Sequence, residues 1–221
     1  MEIKPIAWFR SPLSDKFGTP RQAGIVSGLK GWIEFCDGYE TAMLDGLEAF
    51  DYLWIIWGFS LNRTDVASAS KVRPPRLGGN ERIGVYATRS PYRPNPLGLS
   101  SVRISSINAS EGTIEVLGAD LVDGTPIYDI KPYVEYCDAH TGIRSGFASC
   151  APDSKLTVSI PDKLITQGFD SDEISILKEI LSQDPRPAYH DDPQRVYGMA
   201  YKGKNVRFKV ETDVLTVLSI D

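Results

Sequence analysis

The spacing of apolar and polar residues predicts mainly short strands over the first two-thirds of the chain. These segments are rich in β-branched and aromatic residues and are bounded by Gly, Pro, Asn or Asp. They cover residues 6–9, 31–35, 52–59, 83–88, 102–107 and 113–117. Short strands with turn signals at this spacing are typical of a barrel or a sandwich.

One helix is predicted among these strands, over residues 39–50. Its apolar side chains recur at helical spacing and would mark one face: Met43, Leu44, Leu47 and Phe50. The whole pattern therefore indicates a mainly β fold with some α structure.

A stretch of small and turn-forming residues, 140–155, separates this part from a compact second unit. We therefore predict one domain over residues 1–150 and a small α+β C-terminal domain over residues 151–221. The second is predicted to begin with a strand at 156–160.

A helix and a hairpin are predicted to complete the C-terminal domain. The helix covers residues 172–183, with acidic residues in its first turn and Pro185 just beyond its end. The hairpin turns at Gly203, after which apolar residues alternate with polar ones.

The composition is that of an ordinary globular protein, with 42% apolar and 24% charged residues among 221. The N-terminal sequence lacks the pattern of a secretory leader, and no apolar run approaches membrane-spanning length. We therefore expect a soluble, cytoplasmic protein that is not inserted in a membrane.

Cysteine and histidine spacing does not suggest a metal site. Cys36, Cys137 and Cys150 form no CxxC pair, and His140 and His190 are the only histidines. We expect three free thiols and no bound metal.

A basic segment from Lys71 to Arg93 contrasts with the charge of the whole chain. It carries six basic side chains and one acid, whereas the net charge of the chain is -5. Its prolines and glycines restrict and shape the backbone. Guanidinium groups on such stiff loops suit a carboxylate or a phosphate, because each presents a planar fork of donors that keeps its charge. A solvated basic surface explains the same composition.

Three further polar clusters lie between apolar segments, at residues 16–22, 118–133 and 184–189. The first presents Arg21 and Gln22 from a turn. The second contains three aspartates, which can hold a cationic or polyhydroxylated ligand or can cap turns. The third, DPRPAY, can equally be a helix stop.

Several common fingerprints are absent from the sequence. It contains no GxG, no GxxxxGK[ST] and no GxSxG. This excludes an ordinary Rossmann dinucleotide or methyltransferase site, a P-loop and a hydrolase nucleophile elbow.

Together these clusters resemble one known family, over nearly the whole chain. The motifs are PRQAG (20–24), GLEAFDYLWI (46–55), VRPPRLGGNERIGVYATRSPYRPNPLGLS (72–100), DLVDGTPIYDIKPY (120–133) and DPRPAY (184–189). They resemble the TsaA-like family of tRNA methyltransferase O. The resemblance implies an N-terminal β-barrel domain followed by a small α+β C-terminal domain.

The same resemblance implies an activity and an assembly. The activity is S-adenosylmethionine-dependent N6-methylation of N6-threonylcarbamoyladenosine beside the tRNA anticodon. The assembly is a homodimer, with the cofactor close to the subunit interface.

The family's cofactor site, carried onto this sequence, falls on nine residues: Arg21, Gln22, Ser60, Leu61, Arg89, Asp120, Leu121, Val122 and Asp123. Close relatives have His-Gln where this chain has Ser60-Leu61, so contacts there are expected from the backbone. An Arg with several Asp residues suits a ligand that has a carboxylate, an ammonium and a ribose diol. We assign Arg89 to the carboxylate or another anionic group, and Asp120 or Asp123 to the ribose hydroxyls or the ammonium.

The remaining polar residues are assigned to catalysis and to RNA. Asp129 or Tyr128 could accept the proton that the ureido nitrogen loses, directly or through water. Arg73, Arg76 and Arg93 would meet the tRNA backbone or the threonyl carboxylate of the substrate.

Two other functions fit this sequence. One is a non-catalytic RNA-binding module in which the aspartates are structural, and the other is a methyltransferase that acts on a small molecule. Binding of S-adenosylmethionine separates the first from the catalytic functions, and a requirement for intact tRNA separates the second.

Overall fold

The computed structural model describes residues 2–62, 68–74, 77, 80–150, 156–165, 168–186 and 192–221. Most of the regular structure in these residues is strand, which confirms the predicted fold class. None of their helices is long and apolar enough to cross a membrane.

The N-terminal strands form a closed barrel and one small ribbon. In chain order they are β1 (Ala7–Arg10), β2 (Lys30–Phe35), β3 (Tyr52–Gly58), β4 (Lys71–Val72), β5 (Ile83–Gly84), β6 (Leu97–Asn108), β7 (Thr113–Leu117) and β8 (Thr125–Pro132). The barrel has the order β1-β2-β7-β6-β3-β8, and all its neighbouring strands are antiparallel. The ribbon consists of β4 and β5.

Side chains alternate along each strand between the inside and the outside of the barrel, and the inward-pointing ones fill its interior. On β3, Leu53, Ile55 and Trp57 are buried inside, because successive side chains of a strand point to opposite faces. The intervening Trp54 and Ile56 are therefore on the outer surface, where they are half-buried.

The predicted helix over residues 39–50 is wrong. The segment instead contains two short 3-10 turns, Thr41–Leu44 and Leu47–Ala49. Gly46 separates them with a φ of 86°, in the left-handed region that interrupts a right-handed helix. Of the four residues assigned to one face, only Leu44 is buried.

Other elements also differ from the strand predictions, including the short β4, which was not predicted. The segment predicted at 83–88 is a strand only at β5, because Val85–Ala87 form a 3-10 turn whose carbonyl at Val85 accepts the Thr88 hydroxyl at 2.8 Å. The strand predicted at 102–107 is the middle of the longer β6. No strand was predicted for β8, because DG and KP suggested turns, yet it pairs with both β1 and β3.

A second sheet follows the barrel. Its strands are β9 (Thr157–Ser159), β10 (Tyr197–Tyr201), β11 (Lys204–Glu211) and β12 (Val214–Ile220), in the order β10-β11-β12-β9. The hairpin at Gly203 is confirmed between β10 and β11. The α-helices in the described part of the chain are α1 (Glu135–Asp138), α2 (Asp162–Ile165) and α3 (Ser171–Ser182).

Helix α3 confirms the predicted C-terminal helix. A capping box starts it: Glu173 N–H donates to Asp170 at 2.8 Å, and Asp170 N–H donates to Glu173 at 3.0 Å. After the helix, Arg186 pairs with Asp184 at 2.8 Å, so the start of DPRPAY has a structural contact of its own.

The chain between β1 and β2 packs into the C-terminal core. Leu13, Val26 and Leu29 are buried in the same cluster as the residues of β10, β11 and α3. Phe17 stacks on Tyr197 and Phe208, with ring centroids 6.2 Å apart in both pairs. The second sheet therefore supports a loop that returns to the barrel, and the domain boundary near residue 150 stays a prediction.

Gly18 shows how closely this loop meets the second sheet. Its φ is 93°, and a Cβ placed there would lie 2.1 Å from Sδ of the buried Met199. Only glycine fits this approach without a shift of Met199 or of the loop. The contact fixes the backbone just ahead of Arg21 and Gln22.

Candidate active site

A cleft of about 630 Å³ opens at one end of the barrel and continues over its rim. Four segments of the chain line it: the loop of residues 16–23, the end of β3 with residues 59–62, residues 89–101, and residues 120–125. The loop of residues 16–23 is the one that the second sheet supports.

The cleft brings together most of the predicted cofactor residues. Seven of the nine line it: Arg21, Gln22, Ser60, Leu61, Arg89, Asp120 and Val122. Leu121 is instead buried in the barrel core at 1% exposure. The Asp123 carboxylate accepts a hydrogen bond from Ser11 N–H at 3.0 Å and does not line the cleft.

Among the described residues that were predicted for catalysis and RNA binding, only Arg93 lines the cleft. Tyr128 packs on Gly58, Asp129 pairs with Lys131 at 2.8 Å, and neither residue lines the cleft. Among the predicted RNA-binding residues, Arg93 does line it and donates to the Thr88 carbonyl at 3.3 Å. Arg73 is exposed beside β4, and Arg76 is outside the described residues.

Arg89 and Gln22 connect two walls of the cleft. The Arg89 guanidinium donates to Gln22 Oε1, and Gln22 Nε2 in turn donates to the Arg21 carbonyl at 2.6 Å. The remaining donors of the Arg89 fork are available for an anionic group.

Asp120 ends a chain of hydrogen bonds that starts inside the barrel. Trp57 Nε1 donates to Ser100 Oγ at 3.0 Å, and Ser100 Oγ donates to Asp120 Oδ1 at 2.6 Å. Burial raises the pKa of the Asp120 carboxyl, and the Ser100 hydrogen bond and the Arg89 charge oppose this shift. The carboxyl is thus held in a fixed position as an acceptor in the cleft.

Sequence reasoning did not find Trp57 and Ser100 as site residues. Trp57 lies opposite Gly98 on β6, where a Cβ would come within 2.2 Å of the indole. This glycine lets the ring lie flat against β6 and reach Ser100. The Gly-Leu-Ser sequence at 98–100 was a possible signal, but its meaning depends on strand register.

Asn62 is a second residue that sequence reasoning missed. Its Oδ1 accepts from Lys16 Nζ, whereas its Nδ2 is buried without a hydrogen-bond partner among the described residues. A buried donor without a partner is unfavourable, and Asn62 lines the cleft. The arrangement therefore suits a ligand that presents an acceptor there.

These groups fit S-adenosylmethionine. Arg89 suits a carboxylate, Asp120 suits hydroxyl or ammonium donors, and Trp57 and Phe59 add aromatic surface with ring centroids 4.4 Å apart. In the part of the chain that is described, no group of three or more His, Cys, Asp or Glu residues could hold a metal ion.

Comparison with known proteins gives matches over both parts of the chain. The family model described as tRNA-methyltransferase O N-terminal domain matches residues 8–139, and that of the TrmO C-terminal domain matches residues 156–221. An Escherichia coli protein named tRNA (adenine(37)-N6)-methyltransferase is 36% identical over 100% of this chain and 97% of its own length.

Two further similarities concern the cofactor and the fold. A Pyrococcus abyssi protein named "Probable S-adenosyl-L-methionine-binding protein" is 31% identical over 65% of this chain and 74% of its own length. The crystal structure of TrmO from Pseudomonas aeruginosa superposes with a TM-score of 0.78 at 28% identity, over 100% of this chain and 98% of that one. The chain, with its barrel, its cleft and its second sheet, belongs to the tRNA-methyltransferase O family.

Proposed function

We propose that this protein transfers a methyl group from S-adenosylmethionine to N6 of the adenosine beside the tRNA anticodon, and that this adenosine must already carry a threonylcarbamoyl group. One observation carries the proposal: seven residues assigned to the cofactor from the sequence line a single cleft. The name of the Escherichia coli relative, which matches the whole chain, gives the same base and the same nitrogen.

Three side chains would hold the polar groups of S-adenosylmethionine. The Arg89 guanidinium binds its carboxylate or another anionic group, Asp120 accepts from the ribose hydroxyls or the ammonium, and Asn62 Nδ2 donates to an acceptor. When bound, this molecule supplies an electrophilic methyl group on a positively charged sulfonium.

The cleft contributes mainly by orienting the reacting groups and by excluding water from its buried end. Trp57 and Ser100, which form that buried end, are 7% and 3% exposed. They fix the Asp120 carboxylate from below, so its acceptor atoms keep their position while substrate enters from the rim. Holding the reacting groups in line in this way lowers the barrier without a strong base.

Asp129 accepts the proton that the N6 nitrogen loses, directly or through water, and Tyr128 is the alternative acceptor. The support for Asp129 is its place on the outer face of the barrel: it lies opposite Ile56, which lies opposite Leu99 at the rim of the cleft. Lys131 pairs with its carboxylate from the same strand. The carbamoyl group of the substrate makes the N6 proton more acidic, so a weak base is enough.

The arginines of the basic segment bind the RNA. Arg93, which lines the cleft, meets the threonyl carboxylate of the substrate, and Arg73 and Arg76 meet the tRNA backbone. This divides the basic segment into a part that faces the modified base and a part that faces phosphates.

The protein works on tRNA in the cytoplasm as a homodimer, with the cofactor near the subunit interface. Three exposed apolar side chains support the dimer: Leu61, Tyr86 and Tyr92 are 46%, 76% and 46% exposed. Leu61 lines the cleft, and the two tyrosines flank Arg89 in the sequence. A second subunit would cover them and close the site.

Mass spectrometry of nucleosides tests this function. The purified protein is incubated with S-adenosylmethionine, a chelator and tRNA that carries threonylcarbamoyladenosine, and the tRNA is then digested. The expected product is methylated threonylcarbamoyladenosine. Cofactor binding without any methylation would indicate another substrate, and RNA binding without cofactor binding would indicate a non-catalytic RNA-binding module.

A further inference from the structure

Three aromatic side chains meet on the outside of the barrel. Tyr52 and Trp54 point outward from β3, and Tyr133 follows β8. The Tyr133 ring centroid is 6.3 Å from that of Tyr52 and 5.5 Å from that of Trp54. We call these three residues the outer aromatic face.

Trp54 is held at its edge. Its Nε1 donates to Asp138 Oδ2 at 3.0 Å, and the same oxygen accepts the Val134 N–H at 2.9 Å at the start of α1. These two hydrogen bonds lower the pKa of Asp138, so the acceptor stays ionised. The indole is therefore a positioned ring on an otherwise open surface.

Two cations flank the outer aromatic face on neighbouring strands. The antiparallel register places Arg103 of β6 opposite Tyr52, and Lys131 of β8 opposite Trp54. Lys131 shares its charge with Asp129, whereas Arg103 has no ion pair within the described residues. Aromatic rings between cations are the usual arrangement of surfaces that bind unpaired nucleotides.

The outer aromatic face continues into the cleft. Trp54 lines the cleft together with Leu99 and Ser101 of β6, and Ser101 lies directly opposite Trp54. When one nucleotide of an RNA is held at the rim of the cleft, the next nucleotide of that RNA therefore lies over these rings.

From this juxtaposition we propose that the outer aromatic face binds an unpaired nucleotide of the anticodon loop next to the methylated adenosine, with its base stacked on Trp54. The proposal rests on the function proposed above and adds a site for a second nucleotide. Arg103 and Lys131 meet the phosphates on either side. A second copy of this chain would bring the same cations to the same face, whereas an RNA strand supplies the opposite charge.

Binding of a synthetic anticodon stem-loop RNA, followed by fluorescence anisotropy, tests the proposal. Trp54→Ala should raise the Kd for this RNA roughly tenfold to a hundredfold, since stacking on one base has that effect. Trp54→Phe, which keeps a ring, should recover part of the loss. The matched control is Trp8→Ala, because Trp8 is 40% exposed on β1 and does not line the cleft.

A second measurement separates charge from stacking. Arg103→Gln should weaken RNA binding and reduce the slope of log Kd against log salt concentration by about one. The Kd for S-adenosylmethionine should be the same in Arg103→Gln as in the original protein. This variant also decides the question if Trp54→Ala does not fold.

The outcomes distinguish the inference from the function on which it rests. If the original protein methylates tRNA but the RNA Kd is unchanged in Trp54→Ala and Arg103→Gln, only the proposed nucleotide site on the outer aromatic face is overturned. A fall in molecular mass of Trp54→Ala, seen by light scattering, would instead make the face a subunit contact and would also overturn the inference. A protein that neither binds nor methylates RNA would overturn the proposed function itself.

Discussion

The guanidinium of Arg89 donates a hydrogen bond to the side chain of Gln22, 67 residues earlier in the chain. One of these residues follows the ribbon of β4 and β5, and the other belongs to the loop that the second sheet supports. The contact joins two walls of the cleft at the point where both carry polar side chains. Arg89 therefore links the two walls, and in the proposed function it also contacts the ligand.

Replacement of Arg89 by Ala should weaken binding of S-adenosylmethionine about tenfold to a hundredfold. A charge-assisted hydrogen bond contributes roughly 1.5 to 3 kcal/mol, which corresponds to that change in Kd. Arg89→Lys should recover only part, because a single ammonium cannot reproduce the fork. Titration calorimetry measures all three proteins.

Arg82→Ala is the matched control for this prediction. Arg82 is an exposed arginine of the same basic segment, but it does not line the cleft. Equal losses in Arg82→Ala and Arg89→Ala would mean that overall charge, and not a contact, controls cofactor binding.

Asp120→Asn should make the protein more stable at neutral pH and weaken its binding of S-adenosylmethionine. Burial raises the pKa of this carboxyl above its usual value of 3.8. The folded protein then binds this proton more tightly than the unfolded chain does. The stabilisation of the folded protein that comes from this bound proton is full below about pH 3.8, and it is lost as the pH rises through the raised pKa of Asp120.

Urea unfolding at neutral pH and at about pH 3 measures whether Asp120→Asn raises or lowers the free energy of unfolding at each pH. The asparagine variant, which stays neutral, should exceed the original protein in unfolding free energy only at the higher pH. The control is Asp123→Ala, which should be less stable because it removes the acceptor of the Ser11 N–H at 3.0 Å. A loss of stability in Asp120→Asn at neutral pH would contradict the prediction.

Gly18→Ala should destabilise the protein more than Gly38→Ala does. Both glycines have a positive φ, of 93° and 85°, where a Cβ costs about 1 kcal/mol or more. A Cβ at Gly38 meets nothing within 4 Å, whereas one at Gly18 meets the buried Met199 and adds roughly 1 to 3 kcal/mol of overpacking. Equal unfolding free energies for the two variants would show that the Met199 contact is unimportant.

The protein should be a homodimer whose dissociation lowers activity. The residues that a second subunit would cover are the exposed Leu61, which lines the cleft, and the exposed Tyr86 and Tyr92, which flank Arg89 in the sequence. Light scattering over a dilution series, with methylation assayed on the same samples, tests this. A monomer with full activity would refute it.

Methylation should require the threonylcarbamoyl group. Without it the N6 proton is less acidic, and donors of the site that are meant for its carboxylate, such as Arg93, remain unpaired. Such a mismatch can reduce kcat/KM by about four orders of magnitude. The comparison uses tRNA from cells that can and cannot install the group, and equal methyl incorporation into both would disprove the substrate assignment.

The sequence predicted the strands best where one face is buried. Alternation on β7 shows directly in the residue order, and β3 is a continuous run of apolar and aromatic residues, so both elements were predicted within one residue of their ends. The segment before β3 misled the same reasoning, because helical spacing does not reveal that Gly46 takes a left-handed φ. Strand β8 was not predicted because it lies between the turn signals DG and KP, which give this segment the composition of a loop.

For the candidate site, the sequence supplied the segments but not their contacts. The motifs that include Arg21, Arg89 and Asp120 were singled out from the sequence, and each of them forms a wall of the same cleft. The hydrogen bonds from Trp57 through Ser100 depend on the pairing of β3 with β6, which residue order alone does not give. Asn62 carries no local signal, because its importance comes from its buried Nδ2, which has no hydrogen-bond partner among the described residues.

In the proposed function, the loop between β1 and β2 makes the second sheet thermodynamically part of cofactor binding. Leu13, Val26 and Leu29 are anchored in that sheet's core, and Arg21 and Gln22 lie between the anchors. Opening the sheet would release this wall of the cleft, so a ligand bound to the wall must by mass action also hold the sheet closed. Amide hydrogens of β10 and β11, which have no contact with the cleft, should then exchange more slowly when S-adenosylmethionine is present.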